Sequence, residues 1–430
     1  MIKKDTLLYV VAHNHEKYLE QSLDSLFSQL DPKTDVILID SGSRDKSKII
    51  LQKYADKFNV KLFRKKMILT DIIDWVYSNF LDKYDFIIRL DADDSLRSGA
   101  IKTLKKHINS NKKIGSISGS WIEIDEKSNA LNKMILDNGE AIEAFHGACT
   151  LFRTAALKGI KFKSNKVNAQ DGLYTWLCIK SDWSCMTISD LVFQYRRHKN
   201  NLSNDEDKLF LNRKMAYKSV FDSKNIKIMS CAIIGYLEED LEQYEVKSNS
   251  NFYPNLISQL EYLENSQSID KVFISCETDI TKKLKLEGFK KISFVKRTST
   301  NQSLLKSLQN CSNLKHALSN FTDMLIVNPV KHIWTDAMID IAIYSKYIHK
   351  YNSVIACKLL KGAVYENSNN TLELVNFSGP NTAITSRFLY IRMPGFILLD
   401  FNNFFDMKDK LPQPVGHVSN NFLTLGWDSI

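Results

Sequence analysis

The chain opens by alternating short apolar runs with longer segments in which apolar residues recur every three or four positions. Leu7-Leu8-Tyr9-Val10-Val11-Ala12 is a continuous apolar run, the length of a strand buried on both faces. After it, Asn14 stands where a helix cap would, ahead of Leu19, Leu23, Leu26 and Phe27 at helical spacing. The same reading predicts strands over 36–39, 60–63 and 86–90, and helices over 45–54, 72–80 and 96–108. Uninterrupted apolar strands alternating with helices imply an α/β fold with a mostly parallel sheet covered on both faces. Functional residues in such sheets gather at the carboxyl ends of the strands. Three polar clusters fall there: Ala12-His13-Asn14, Asp40-Ser41-Gly42 and Asp91-Ala92-Asp93. They should line one crevice.

Residues 199–208 are polar and charged, and a helix is predicted over 209–220. A domain junction near Lys224 divides the chain into 1–224 and 225–430. Beyond it, strands are predicted over 226–234, 271–275, 292–295, 324–327 and 353–358. Helices are predicted over 256–263, 280–286, 304–318 and 336–348. The second half is therefore α/β as well, without a residue-level repeat of the first.

Composition narrows the classes. A chain of 430 residues is longer than one hydrophobic core usually serves, which agrees with two domains. With 44% hydrophobic and 25% charged residues, disordered, collagen-like and disulfide-scaffold chains are excluded. The formal charge of +9 suits phosphorylated ligands or an anionic membrane surface. No Lys/Arg run has the density or aromatic interleaving that nucleic acid would ask for. Seven scattered cysteines without a C-x-x-C pair argue for reduced thiols in a cytoplasmic setting and against structural zinc. No stretch approaches the ~18 apolar residues of a spanning helix, so membrane contact would be peripheral, on the inner face.

Asp91 and Asp93 are two carboxylates one residue apart on a turn after a buried strand, a spacing that can present oxygen ligands to a hard divalent cation. Around them, residues 6–203 resemble a family 2 glycosyltransferase of the GT-A fold. Val10-Val11-Ala12-His13-Asn14-His15-Glu16-Lys17-Tyr18-Leu19 resembles that family's first strand and loop, and Ile39-Asp40-Ser41-Gly42-Ser43-Arg44-Asp45 its second-strand loop. Leu90-Asp91-Ala92-Asp93-Asp94 is similar to its metal motif. Gly147-Ala148-Cys149-Thr150-Leu151-Phe152-Arg153, preceded by His146, resembles its acceptor and sugar segment. Ala169-Gln170-Asp171-Gly172 stands where the family has a Glu-Asp pair, and Tyr195-Arg196-Arg197-His198 resembles its late motif over the diphosphate.

The resemblance implies an inverting, metal-dependent enzyme that moves a sugar from a nucleotide diphosphate, taken as a UDP-sugar, to a glycan or lipid-linked acceptor. It implies that Asp40 meets the base while Ala12 and Asn14 shape the base pocket. Asp91, Ala92, Arg196 and Arg197 would meet the donor, and Asp91, Asp93 and His198 would hold Mn²⁺ or Mg²⁺. His146, Gly147 and Gln170 would line the acceptor and sugar site, and Asp171 would take the acceptor's proton. The pathway implied is surface polysaccharide, lipooligosaccharide or glycoprotein glycan synthesis. Three departures stand out: Gln170 for the usual glutamate, Ser41 for a common second aspartate, and Met67-Ile68-Leu69-Thr70-Asp71 where members carry a glycine-containing helix start.

The second half has a weaker similarity to cytidylyltransferases that activate acidic sugars, in residues 255–275, 325–343 and 353–356. Its first loop, Ile234-Gly235-Tyr236-Leu237-Glu238-Glu239-Asp240, is acidic where those enzymes cradle triphosphate with glycine and basic residues. Leu425-Gly426-Trp427-Asp428-Ser429 keeps one of their paired acids. The expectation is a nucleotidyltransferase-like domain that has lost its chemistry and binds a partner, assembles a homo-oligomer or shapes the acceptor site. The competing readings are nucleotidyl transfer by the second half, and a non-catalytic scaffold that binds nucleotide sugar.

Overall fold

The computed structural model describes residues 3–141, 146–162, 167, 170–235, 252–276, 288–297, 304–327, 335–356, 358–359, 365–368, 371–374, 390–391, 396–406, 415–418 and 424–427. The chain divides into two compact units, one of Met1–Ala216 with Ala363–Arg387, the other of Tyr217–Gly362 with Phe388–Ile430. No described helix is long and apolar enough to cross a membrane.

The first unit is built in chain order from β1 (Thr6–Ala12), α1 (Leu19–Phe27), β2 (Thr34–Asp40), α2 (Ser47–Phe58), β3 (Lys61–Arg64), α3 (Leu69–Phe80), β4 (Phe86–Asp91), β5 (Ser95–Leu96) and α4 (Ala100–Ile108). It continues with β6 (Ile114–Ile124), β7 (Ala130–Met134), β8 (Gly139–Glu140), β9 (Leu151–Arg153), α5 (Thr154–Leu157), α6 (Asp171–Ile179), β10 (Ser184–Arg196) and α7 (Glu206–Ser223), whose last turns belong to the second unit. The sheet runs β3-β2-β1-β4-β9-β6-β10-β5, with β7 on β6 and β8 on β10. Strands β3, β2, β1 and β4 are parallel; β9 runs against both its neighbours; β10 is parallel to β6 and antiparallel to β5. This is the α/β, mostly parallel architecture expected from the sequence.

Apolar residues dictate the layers. Leu8, Val10, Leu38, Ile88 and Leu90 of the parallel strands are almost wholly buried, and α1 turns Leu19, Leu23, Leu26 and Phe27 onto them. Each such side chain contributes roughly 2 kcal/mol by leaving water. On α4, Ala100, Ile101, Leu104 and Ile108 face inward while Lys102 and Lys106 are exposed and Lys105 pairs with Asp5 and Asp31.

Two local expectations are corrected. Asn14 does not cap α1: the residue before that helix is Tyr18, whose side chain makes no cap, and Asn14 sits earlier in a left-handed turn at φ 59°. Leu96 does not start a helix either. It pairs with Phe193 across β5 and β10, and the helix begins only at Ala100, after Gly99 in a left-handed conformation.

The second unit repeats the arrangement. Its strands β11 (Ser230–Gly235), β12 (Lys271–Cys276), β13 (Ile292–Lys296), β14 (Asp323–Val327) and β15 (Ser353–Ala356) are followed by Phe396–Asp400, Val415–Val418 and Thr424–Trp427. The sheet order is β13-β12-β11-β14, then Phe396–Asp400, β15, Val415–Val418 and Thr424–Trp427. The first four strands are parallel, Phe396–Asp400 opposes both its neighbours, Val415–Val418 is parallel to β15, and the last strand is antiparallel. Position for position, these are the senses of the first sheet. The stretch predicted as one helix over 304–318 is two, Leu304–Gln309 and Ser312–Leu318, and residues 226–229 precede the strand rather than belong to it. The predicted helix over 280–286, Tyr236 to Asp240 of the acidic loop, residues 328–334, Asp428 and Ser429 lie outside the described residues.

Candidate active site

The carboxyl ends of β1 and β2 are laced together by loop backbone. Ala12 closes β1 without exposure, and its carbonyl accepts from the Ser41 amide at 2.8 Å. Asn14 donates its amide to Ser43 Oγ at 3.2 Å, and its side-chain oxygen accepts from the Arg44 amide at 2.8 Å. Asp40, buried at the end of β2, accepts from the Ser43 amide at 2.9 Å. Ser41 uses its hydroxyl to reach the Met67 carbonyl at 2.6 Å, so the serine found in place of an aspartate ties down the 65–68 loop.

At the end of β4 the acidic turn divides its work. Asp93 Oδ2 lies 2.9 Å from His198 Nε2 and 3.9 Å from His15 Nε2, and the His198 ring stacks on Tyr18 with centroids 5.2 Å apart. Burial works against the charge of Asp93, but the His198 hydrogen bond and the neighbouring His15 prevail and lower its pKa. Asp94 moves the other way, pushed well up by burial and by the charges of Asp93 and Asp91. Asp94 accepts from the Arg196 amide at 2.9 Å.

Asp91 faces Arg89 of the same strand, as residues two apart on a strand do. Arg89 Nε donates to Asp91 Oδ1 at 2.7 Å and Nη2 to Oδ2 at 3.4 Å, while Nη1 donates to Asp171 Oδ2 at 2.6 Å. Burial raises the pKa of Asp91, as do Asp93 and Asp171, against the pull of Arg89. Asp171 opens α6, and its carboxylate lies over Gly147: a Cβ on that glycine would fall on Asp171 Oδ2. The 147–150 loop is pinned in turn by the Cys149 amide, which donates to the Arg89 carbonyl at 2.7 Å from a left-handed conformation (φ 56°). His146 meets Trp121, Phe193 and Tyr195 with ring centroids 4.6, 5.2 and 5.0 Å away. Burial, aided by Arg197 and Arg89, holds its pKa down to about 4, so the imidazole is neutral in ordinary buffers.

The structure thus draws Asp91, Asp93, His198, Asp171 and Gly147 to one end of the sheet. Of the other residues singled out from the sequence, Ala92 and Arg196 are buried, Gln170 is half-buried and Arg197 is exposed. Ala92 is buried in the core. The Arg196 guanidinium, 1% exposed, donates to the Asp93 and Asp125 carbonyls, Ser128 Oγ and Gln21 Oε1. Arg197 pairs with Glu123 at 2.5 Å. Gln170 precedes α6 with no side-chain cap to the helix. Arg89, His15 and Tyr18 are the participants that sequence patterns passed over. Arg89 had a legible signal: a cation inside the apolar run Phe86-Ile87-Ile88-Arg89-Leu90 must have buried partners.

Carboxylate oxygens with an imidazole are a fitting donor set for Mn²⁺ or Mg²⁺. The 2.9 Å between Asp93 Oδ2 and His198 Nε2 is about the spacing of adjacent ligands on an octahedral ion. Among the described residues, no three His, Cys, Asp or Glu side chains already surround a common point. Sites for such ions in nucleotide enzymes take one or two carboxylates and fill much of the remainder with phosphate oxygens and water.

Residues 8–164 match the sequence model of the family described as "Glycosyl transferase family 2". That stretch carries a family 2 glycosyltransferase domain. Two curated proteins are similar to it. The poly(ribitol-phosphate) beta-N-acetylglucosaminyltransferase TarS of Staphylococcus aureus is 25% identical over 199 residues, 43% of this chain and 34% of that protein. An uncharacterized glycosyltransferase of Mycoplasma pneumoniae is 28% identical over 102 residues, 23% of this chain and 34% of that protein. The match spans about a third of the length of each. Among solved structures, residues 1–349 of TarS with UDP-GlcNAc give a TM-score of 0.44 at 17% identity, covering 60% of this chain and 78% of that one. A mannosyltransferase of Pyrobaculum calidifontis with GDP-Man and Mn²⁺ gives 0.40 at 14%, covering 52% and 65%. The matched stretch holds the site residues described above except Gln170, Asp171, Phe193 and the late motif, which follow it.

Proposed function

We propose that the family 2 domain, assigned here to residues 1–224, is an inverting glycosyltransferase that moves a sugar from a UDP-sugar to the hydroxyl of a glycan or lipid-linked acceptor, in the synthesis of a surface polysaccharide or a related glycan. The single observation that carries the reading is the grouping of Asp91 and Asp171 on one guanidinium at the carboxyl end of the parallel strands. It sets a donor-side carboxylate beside an acceptor-side one.

In this reading the cleft between the first two loops takes the nucleotide, with Asp40 toward the base. A divalent cation held by Asp91, Asp93 and His198 would neutralise the diphosphate as a Lewis acid. Asp171 is the general base. The acceptor O–H proton passes to Asp171 as the acceptor oxygen bonds to the anomeric carbon. The bond from that carbon to the diphosphate oxygen breaks, and the nucleoside diphosphate leaves with the electron pair. A single displacement inverts the anomeric centre. General-base help of this kind is worth on the order of 10²–10⁴ in rate. Arg196, buried among carbonyls, keeps the Asp93 turn in place rather than meeting the phosphates.

Calorimetry with UDP, GDP, CDP and CTP, with and without Mn²⁺, tests the reading. Metal-dependent binding of UDP that disappears in Asp91→Ala/Asp93→Ala is the expected result. Nucleotide binding restricted to CTP and indifferent to that double substitution would transfer the function to the second unit and end this reading.

A further inference from the structure

Arg89 lies on the wrong side of the usual ledger for a strand residue. Its neighbours Ile87, Ile88 and Leu90 are core, and its own side chain is 5% exposed. Burial opposes its charge, but Asp171 and Asp91 outweigh burial and keep the guanidinium ionised. Three of its nitrogens are committed. Nε and Nη2 go to Asp91 and Nη1 to Asp171, and its carbonyl holds the Cys149 amide. A planar fork with fixed donor directions can hold two carboxylates at a set spacing, which the point charge of a lysine cannot.

The consequence at Asp171 is specific. Oδ2 is occupied by Arg89 and backed by Gly147, where even a methyl group has no room. We propose that Arg89 is the positioning residue of the transfer reaction: it anchors Asp171 by Oδ2, reserves Oδ1 for the acceptor's proton, and makes Asp91 and Asp171 one mechanical unit. A change in how Asp91 is held alters the share of the guanidinium left to Asp171, so occupation of the donor side is felt at the base. This rests on the glycosyltransferase reading, but the bridge itself does not.

Two measurements separate them. The first is a thermal-denaturation cycle of Asp91→Asn and Asp171→Asn, made once with Arg89 and once in Arg89→Met. Coupling between the two sites that is present with Arg89 and gone without it is expected; additive shifts in both backgrounds would overturn the bridge. The second uses UDP-GlcNAc as the donor probe, with UDP release as the readout. Arg89→Met should lower turnover about 100-fold while shifting the Mn²⁺-dependent dissociation constant of UDP less than fivefold, and Arg89→Lys should recover part of the turnover. Added to Asp171→Asn, Arg89→Met should cost nothing further, because the base it positions is already gone. Losses that multiply, or UDP binding that falls in step with turnover, would show a general structural role and overturn the assignment. Should Arg89→Met not fold, Arg89→Lys carries the same comparison with Asp171→Asn. A wild-type protein that binds no UDP would count against the proposed function and leave the denaturation cycle to decide the bridge.

Discussion

His146 carries a neutral imidazole among Trp121, Phe193 and Tyr195, and that has a pH signature. Burial, with Arg197 and Arg89, depresses its folded pKa from the ordinary 6.5 to about 4. Between these values the unfolded chain binds a proton that the folded chain refuses. Stability contributed by the ring is therefore complete above pH 6.5 and is lost progressively as pH falls towards 4. In His146→Phe that part of the acid slope should vanish, as read from urea midpoints collected at pH 7, 6, 5 and 4. An unchanged slope would mean that the ring is hydrated. Gly147, one residue on, shows the opposite economy: its worth lies in the side chain it lacks, since Asp171 occupies the space.

Among elements, β10 decides the most. Its last residue, Arg196, is 1% exposed and gives its guanidinium to four acceptors from α1, the Asp93 turn and the 125–128 loop. Arg196→Met would orphan these acceptors inside the protein and should cost about 3 kcal/mol, read as a lower denaturation midpoint at constant slope. It should also weaken Mn²⁺-dependent UDP binding, because the Asp93 carbonyl loses its donor. The sequence makes β1, β2 and β4 legible because their buried runs are apolar almost without interruption, Arg89 apart, while β3 is marked only by Leu62 and Phe63 between exposed Lys61 and Arg64. Strand β10 is harder to read: Thr187, Ser189, Asp190 and Gln194 interrupt it, and its pairing with β6 shifts register between Ile188 and Leu191 and again before Phe193. The same division holds at the site. Asp91, Asp93, Asp171 and His198 can be picked out by pattern, since their types and order are informative. Arg89, His15 and Tyr18 act through distances that only folding creates, and Arg196 carries the same charge whether it points at a phosphate or into the core.

On the scale of the whole molecule, one chain holds two sheets that share their strand senses and the chain order of their first seven strands, the eighth being β5 in the first sheet and Thr424–Trp427 in the second. Their sequences share the α/β class without a residue-level repeat, as expected where packing volume and patterning, rather than identity, specify a core. The second sheet has its own buried ion pair, Lys346 with Asp323 at 2.8 Å, beside the Tyr347 hydroxyl on the same carboxylate. Asp323 is inaccessible to solvent. Removing one partner strands the other charge, so Lys346→Met should destabilise the second unit by about 3–5 kcal/mol. Hydrogen exchange should accelerate in β11 to β14 while β1 to β4 keep their protection. Equal acceleration in both sheets would mean that the two units unfold as one.

The place of β10 in the first sheet also sets a timetable. Asp93 and His198 meet across 105 residues of chain, and the strand that delivers His198 lies between β6 and β5. On a ribosome adding 5–20 residues per second, the acidic turn waits roughly 5–20 s for its histidine. Only after β9 has joined β6 to β4 does the growing sheet present a β6 edge, and that edge stays unpaired with β10 until the late motif follows. The candidate site is therefore completed late in synthesis, after the strand and turn that carry Asp91 and Asp93.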